Sequence, residues 1–255
     1  AELCMLMADT LIKCGLEKDR FIIKINNRKI FQGILEFFEI KDPKQSLTIL
    51  RSIDKFQTVG KKGVLELLTK GRLDKSGDFT KGANLKKEIA EEIFELLSAD
   101  SIIRDKKTGV CRLSAGDSLF KIENDTYLEG LKEVDTILNY LGENKEVNIM
   151  STDLSFKQDM INFQMDLSVV RGLEYYTGTV MEAETTDTSF WKSSRDANAF
   201  KKIKLGSLSG GGRYDKLVSR FLNDDYPSVG ISIGLDRILM LLKDNYKNQA
   251  LKNPI

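Results

Sequence analysis

Histidine is missing from the sequence: its count among 255 residues is zero. That absence removes the imidazole base, the Ser–His and Cys–His nucleophile pairs and every histidine-ligated metal centre. Cysteine is scarce. Cys4, Cys14 and Cys111 are odd in number and show no C-x-x-C spacing, which argues against a disulfide framework and a zinc site. They read as free thiols in a reducing compartment, so a cytoplasmic location is expected. No apolar run approaches the length of a membrane span, and Ala1-Glu2-Leu3-Cys4-Met5 lacks the pattern of a signal peptide. An excess of either charge is lacking too: Lys plus Arg is 39 and Asp plus Glu is 38, a net +1. This excludes a strongly basic chromatin-type protein but not a local basic patch. The G-x-G-x-x-G of the Rossmann turn and the G-x-x-x-x-G-K-[ST] of the P-loop are also absent. Chemistry must therefore rest on Arg, Lys, Tyr, carboxylates and backbone amides.

What is present is a soluble globular mix, 41% hydrophobic and 30% charged. Leu3, Met7, Leu11 and Cys14 recur at helical spacing, with Gly15 as the stop. Because the chain begins inside this helix, we expect it to be cut from something longer. Phe21 to Ile25 reads as a strand. Asn26 or Asn27 is placed to cap a helix with Ile30, Ile34 and Phe37 inward, and Pro43 is expected to end that unit.

From 46 to about 145 the pattern predicts mostly helix. One short helix covers Lys61 to Leu68, stopped by Gly71, and a second is capped by Asn84. A third is opened by a Thr126–Glu129 capping box, with Leu128, Leu131, Val134, Leu138 and Leu141 inward. After 146 strands dominate. Ile161, Phe163, Met165, Leu167 and Val169 alternate with polar residues, as in an antiparallel strand with one buried face. Tyr175–Thr185, Lys204–Ser209 and Val229–Ile233 are further strand candidates, before a helix from Leu235 with Ile238, Leu239 and Leu242 inward. The expected class is α+β: an antiparallel sheet flanked by helices, with a core of 1–57 and 146–255 and an inserted helical domain at 58–145.

Four patterns carry chemistry. Arg171-Gly172-Leu173-Glu174-Tyr175-Tyr176-Thr177-Gly178 sets an always-charged fork, suited to carboxylate or phosphate, beside two flat tyrosines. Ser209-Gly210-Gly211-Gly212-Arg213-Tyr214-Asp215 offers glycines against which a ligand can lie flat, or simply a flexible turn. Gly230 to Arg237 clears one face of a strand and puts Arg237 in the first turn of the next helix, where it can meet adenine or phosphate or pair with Asp236. Residues 60–87 hold Lys61, Lys62, Lys70, Arg72, Lys75, Lys81, Lys86 and Lys87 against Glu66, Asp74 and Asp78, a surplus of 8 − 3 = +5. That stretch is either a solvated face or a track for nucleic-acid phosphates.

In this order the patterns resemble the catalytic domain of histidyl-tRNA synthetase, a class II aminoacyl-tRNA synthetase. Arg171–Gly178 is similar to the family's R-G-L-[DE]-Y-Y-T-G, Gly211–Asp215 to G-G-R-Y-D, and Gly230–Arg237 to motif 3, G-x-x-x-G-x-x-R. Ile23–Arg28 with Gly33–Leu35 resembles the segment after motif 2, and Ser76–Ala83 the insertion of an α-proteobacterial branch. The resemblance implies ATP-dependent formation of histidyl-adenylate and transfer to tRNA(His) by a homodimeric enzyme, with Mg2+ accompanying ATP and no membrane partner. Arg171 is then the catalytic residue, on the α-phosphate and the histidine carboxylate. Tyr175, Tyr176, Gly211 and Tyr214 bind histidine, with the glycines at 210–212 as a floor. Arg237 and Gly234 bind ATP, and Lys61, Lys62, Arg72 and Lys75 approach tRNA. No protein-held metal is expected.

Motifs 1 and 2 and the anticodon-binding domain are not found in the sequence, so a fragment of the enzyme is expected, inactive by itself. Two other readings stand beside this one. One is a non-catalytic paralogue, a histidine-sensing regulatory subunit of ATP phosphoribosyltransferase. The other is a plain nucleic-acid-binding module using 60–87.

Overall fold

Apolar residues sort by period onto faces, and those faces dictate what each element covers. The computed structural model describes residues 1–74, 76–97, 101–104, 111–115, 118–150, 157, 159–170, 175–186, 191–193, 200–202, 206–218, 221, 224 and 226–250. Helix α1 (Glu2–Lys13) buries Cys4, Met7, Ala8 and Leu11, and Gly15 follows it at φ +101°. Strand β1 (Phe21–Asn27) runs into α2 (Arg28–Phe37), where the Asn27 side chain caps the helix by accepting the Lys29 N–H at 3.0 Å.

Pro43 does not end this unit. It opens α3 (Pro43–Asp54) directly after the cap Asp42, because a residue with no N–H and a fixed φ suits the first helical position. Helix α4 (Phe56–Leu68) begins before Lys61 and is kinked at Gly60. The polar stretch after it forms a hairpin, β2 (Gly71–Leu73) and β3 (Phe79–Lys81). Asp74 shapes its turn by accepting the N–H groups of Ser76 and Asp78, each at 2.9 Å.

Helix α5 (Lys87–Leu97) buries Ala90, Ile93, Phe94, Leu96 and Leu97. A small antiparallel sheet follows, β4 (Ser101–Arg104), β5 (Cys111–Ala115) and β6 (Ser118–Phe120). The stretch 58–145 is thus not purely helical. Its strands are too short for alternation to show in sequence. Helix α6 (Asp125–Gly142) is capped by Asn124 rather than by Thr126: Asn124 accepts the Tyr127 N–H at 2.9 Å and donates to Gly33 O at 2.8 Å. Tyr127 is fully buried while Leu128 is exposed, and Gly33 and Gly130 let α6 approach α2 closely.

The remaining elements are β7 (Val147–Met150), β8 (Ile161–Met165), β9 (Thr179–Thr185), β10 (Trp191–Ser193), β11 (Phe200–Lys202), β12 (Ser209–Arg213), α7 (Asp215–Val218), β13 (Val229–Ile233) and α8 (Leu235–Ala250). In α8, Ile238 and Leu241 are buried and Leu239 is exposed. The main sheet has six strands in the order β13-β12-β9-β1-β8-β7. The α+β class holds, but the sheet is mixed: β8 is parallel to both β1 and β7. Period-two alternation reports a one-sided burial and is silent on direction. Here the long excursion between β1 and β8 makes parallel pairing possible. The glycine run is also not a loop, since Gly210–Gly212 lie inside β12, paired on both sides. The strand expected over Lys204–Ser209 starts only at Ser209 among the described residues. No described helix is long and apolar enough to cross a membrane.

Candidate functional site

The sheet has two chemically different faces. Phe21, Ile23, Ile25, Phe163, Met181 and Ala183 alternate onto one face and are all buried. The other face is set by the register Lys24↔Glu182, Gly210↔Glu182, Gly210↔Ser232, Gly212↔Val180 and Gly212↔Gly230. It is polar along its middle and bare over β12. A cavity of about 970 Å³ opens over this face. Its floor includes Glu182, Glu184, Gly210 and Ser232; one end is Gly206, Ser207, Gly234 and Arg237; Arg51, Asp54 and Lys55 line it from α3 and the α3–α4 junction.

Arg237 sits in the first turn of α8, its N–H bonded to Gly234 O at 3.0 Å. Its guanidinium donates to Ser207 O. Gly206, at φ +72°, lets that guanidinium lie against the loop: a Cβ there would stand 3.4 Å from Arg237 Cζ. Sequence reading thus put Arg237 and Gly234 at one place, and both line the cavity.

The tyrosines of two separate motifs meet. Tyr175 and Tyr176 have centroids 4.6 Å apart, and Tyr214 stands 6.0 Å from Tyr175 and 6.4 Å from Tyr176. Val169 and Val180 complete this small apolar cluster. A Cβ on Gly212 would strike the Tyr176 ring at 2.8 Å, and one on Gly230 would strike the Tyr214 hydroxyl. Gly212 and Gly230 therefore form the backing of the cluster. Gly211 alternates to the opposite face, where its Cβ would meet Gly230 O and Ile231. The cluster and the cavity share one sheet face. Gly210 borders the cavity and Gly212 the tyrosines, two residues on, which is roughly 7 Å along a strand. Arg171 to Glu174 lie outside the described residues.

Asp215 ties the motifs together. Its carboxylate accepts from Arg213 Nε at 2.8 Å, Thr177 Oγ1 at 3.1 Å and the Ser228 N–H at 3.2 Å. Burial pushes this carboxyl up, but the Arg213, Ser228 and Thr177 hydrogen bonds outweigh it and hold the group below the usual range.

Sequence reading missed Lys24. Its ammonium lies 2.9 Å from Asp166 and 3.1 Å from Glu184, with all three side chains under one-fifth exposed. Burial lowers the Lys24 pKa, yet Asp166 and Glu184 more than reverse this and raise it above the ordinary lysine value. Burial likewise raises Asp166, but Lys24 and Ser168 pull it below the carboxylate range. The available signal was a single charge in the apolar run Phe21-Ile22-Ile23-Lys24-Ile25.

In the basic stretch at 60–87, Lys61, Lys62, Lys70, Lys81, Lys86 and Lys87 are exposed and Arg72 is half-buried. Lys61 lies over the Phe94 ring at 5.3 Å, and Arg72 Nε is 3.7 Å from Glu66. Lys62 is exposed, and Lys75 lies outside the described residues. Lys81, from the hairpin, reaches the cavity wall. Among the described residues no group of three or more Cys, Asp or Glu is arranged to hold a metal ion.

The sequence profile of the histidyl-tRNA synthetase family matches residues 80–238. The chain is 39% identical over 247 residues to the histidine–tRNA ligase of Bartonella bacilliformis, covering 95% of this chain and 44% of the relative. It is 40% identical over 248 residues to that of Rhizobium rhizogenes, covering 96% and 44%. The chain thus spans less than half the length of these relatives. Among solved structures it is similar to histidyl-tRNA synthetase from Nostoc sp. PCC 7120, with a TM-score of 0.62 at 23% identity over 96% of this chain and 46% of that one. That level of identity speaks to the fold alone.

Proposed function

Because the chain belongs to the histidyl-tRNA synthetase family, we propose that its polar sheet face is part of a site that activates histidine with ATP and passes the histidyl group to tRNA(His). The observation that carries this reading is the adjacency of the tyrosine cluster and the Arg237 cavity on one face. In this proposal the imidazole of the substrate lies among Tyr175, Tyr176 and Tyr214. The nucleotide occupies the cavity, with Arg237 and the Gly234 backbone against it. The carboxylate oxygen of histidine attacks the α-phosphorus in line. A new P–O bond forms, the bond to the bridging oxygen of the β-phosphate breaks, and pyrophosphate leaves with that electron pair. Arg171 stabilises the charge on the α-phosphate. Positioning and fixed charge supply the catalysis, and no protein imidazole is required.

Mg2+ enters with the triphosphate and is held mainly by phosphate oxygens and water. Asp54, Glu182 and Glu184 line the cavity, Glu184 paired with Lys24, and an ion carried in by ATP would meet these carboxylates. The same reading makes 58–145 a module inserted between core segments 1–57 and 146–255, rooted on the core through α6. It assigns acceptor-arm contacts to Lys62 first, then to Lys61, Arg72 and Lys75, in a cytoplasmic homodimer.

The test is histidine-dependent exchange of labelled pyrophosphate into ATP by the protein expressed from the whole reading frame that contains this sequence. Arg237→Ala is expected to lower exchange about a hundredfold, the scale of a lost transition-state charge contact. No histidine-dependent exchange in the unaltered protein overturns the reading and favours the regulatory paralogue. The 255-residue chain by itself is expected to give no exchange; clear turnover from it would defeat that expectation.

A further inference from the structure

The segment between β8 and β9 carries Arg171 and the paired tyrosines, and side chains at the β1–α2 junction grip the described parts of it. Asn26 is buried at 1% exposure and donates Nδ2 to both Leu167 O and Val169 O, each at 3.1 Å. Its Oδ1 accepts the Asn27 N–H at 2.7 Å, which fixes the amide in this orientation. Arg28, the first residue of α2, donates Nη1 to Val170 O and Nε to Tyr176 O, both at 3.4 Å. The Arg28 backbone N–H adds a bond to Gly178 O at 3.0 Å. Two residues of one strand–helix junction therefore hold carbonyls on both sides of 171–175.

We propose that Arg28, backed by Asn26, is a positioning residue for the reaction: its guanidinium bridges the carbonyls of Val170 and Tyr176 and so sets where Arg171 and Tyr175 are presented to the ligands. The inference rests on the reading given under Proposed function. The Arg28 donors Nε and Nη1 are spent on the Tyr176 and Val170 carbonyls, so it acts through the segment it holds. The choice of arginine follows from geometry. A planar fork keeps its donors at a fixed separation and thereby fixes the distance between two acceptors. A lysine ammonium is one point on a flexible stem and cannot do so. The surroundings also matter, since Val170 and Tyr176 are both under one-tenth exposed and their carbonyls have little water to turn to.

Two readouts on Arg28→Gln and Arg28→Lys test this. The first is native-state trypsin cleavage after Arg171, measured against cleavage at other Lys and Arg sites and against the thermal midpoint. Arg28→Gln is expected to speed cleavage after Arg171 about tenfold through local opening while other sites stay unchanged, and Arg28→Lys to fall between the two. The second is the exchange assay. Arg28→Gln should lower kcat roughly tenfold to a hundredfold with the KM for ATP nearly unaltered, since displaced reacting groups lose rate before affinity. Uniformly faster cleavage with a matching fall in midpoint means a structural role only and overturns the proposal, as does an unchanged kcat. An unaltered protein without histidine-dependent exchange instead defeats the functional reading, and the cleavage readout still decides whether Arg28 holds the segment.

Discussion

Gly212→Ala is expected to lower histidine-dependent exchange about a hundredfold, with most of the change in the KM for histidine. The added methyl would stand 2.6 Å from Thr179 O and 2.8 Å from Tyr176 Cδ1 and Cε1. The strand cannot retreat, because Gly212 is paired to Val180 on one side and Gly230 on the other. The Thr179 carbonyl and the Tyr176 ring must both give way, and Tyr176 stands in a cluster with Tyr175, Tyr214, Val169 and Val180. Overpacking of this kind costs about 1–3 kcal/mol. The damage is confined to the tyrosine end, so the KM for ATP should change little. Steady-state exchange with each substrate varied in turn separates the two. A folded Gly212→Ala protein with an unaltered KM for histidine would mean that the tyrosine cluster is not the histidine pocket.

Lys24→Met is expected to destabilise the protein by about 3 kcal/mol, which is roughly 6–12 °C in thermal midpoint for a chain of this size. The substitution leaves Asp166 and Glu184 facing each other without the cation that lies 2.9 Å and 3.1 Å from them. Removing one partner of a largely buried ion set costs more than removing all of it. The combined Lys24→Met, Asp166→Asn and Glu184→Gln variant should therefore recover much of the loss. The pH dependence carries a sign. The Asp166 pKa is depressed in the folded protein, so its contribution is complete above the ordinary carboxylate range and is lost on acidification below roughly pH 4. The Lys24 pKa is raised, so its contribution is complete below the ordinary lysine range and fades only in strong alkali. The ion set should thus add no slope to the thermal midpoint between these limits. In Lys24→Met the burial of Asp166 is no longer opposed by a cation, so its pKa rises and the variant should gain stability from pH 7 to 5. Parallel pH curves for the two proteins would refute the ion-set account.

Much of the site could be read in the chain because local rules govern it. Arg237 follows Gly234 into a helix start, and Tyr175 and Tyr176 are neighbours in sequence, so no distant contact is needed to pair them. The errors have a common physical source. Pro43 was ambiguous because the same fixed φ that ends one segment also starts a helix. The glycine run read as a loop because glycine is poor strand material, yet bare backbone between two partner strands is what lets Tyr176 and Tyr214 close over β12. Composition alone also left the basic stretch open between a solvated face and a phosphate track, since it does not reveal that Lys61 lies over Phe94 or that Arg72 is near Glu66.

By itself the sequence determined the absence of imidazole chemistry, the α+β class, the family motifs and the residue types of the site. Those follow from composition and from patterns within a few residues of each other. Only the tertiary structure decided which glycines share a face with the cavity and the tyrosines, that β8 runs parallel to its neighbours, that Lys24 is shared by two carboxylates, and that Arg28 holds carbonyls on both sides of 171–175. The first depends on the register of β12 with β9 and β13, and the rest on contacts between residues more than a hundred positions apart; in a sheet, a shift of one residue would turn every side chain to the other face.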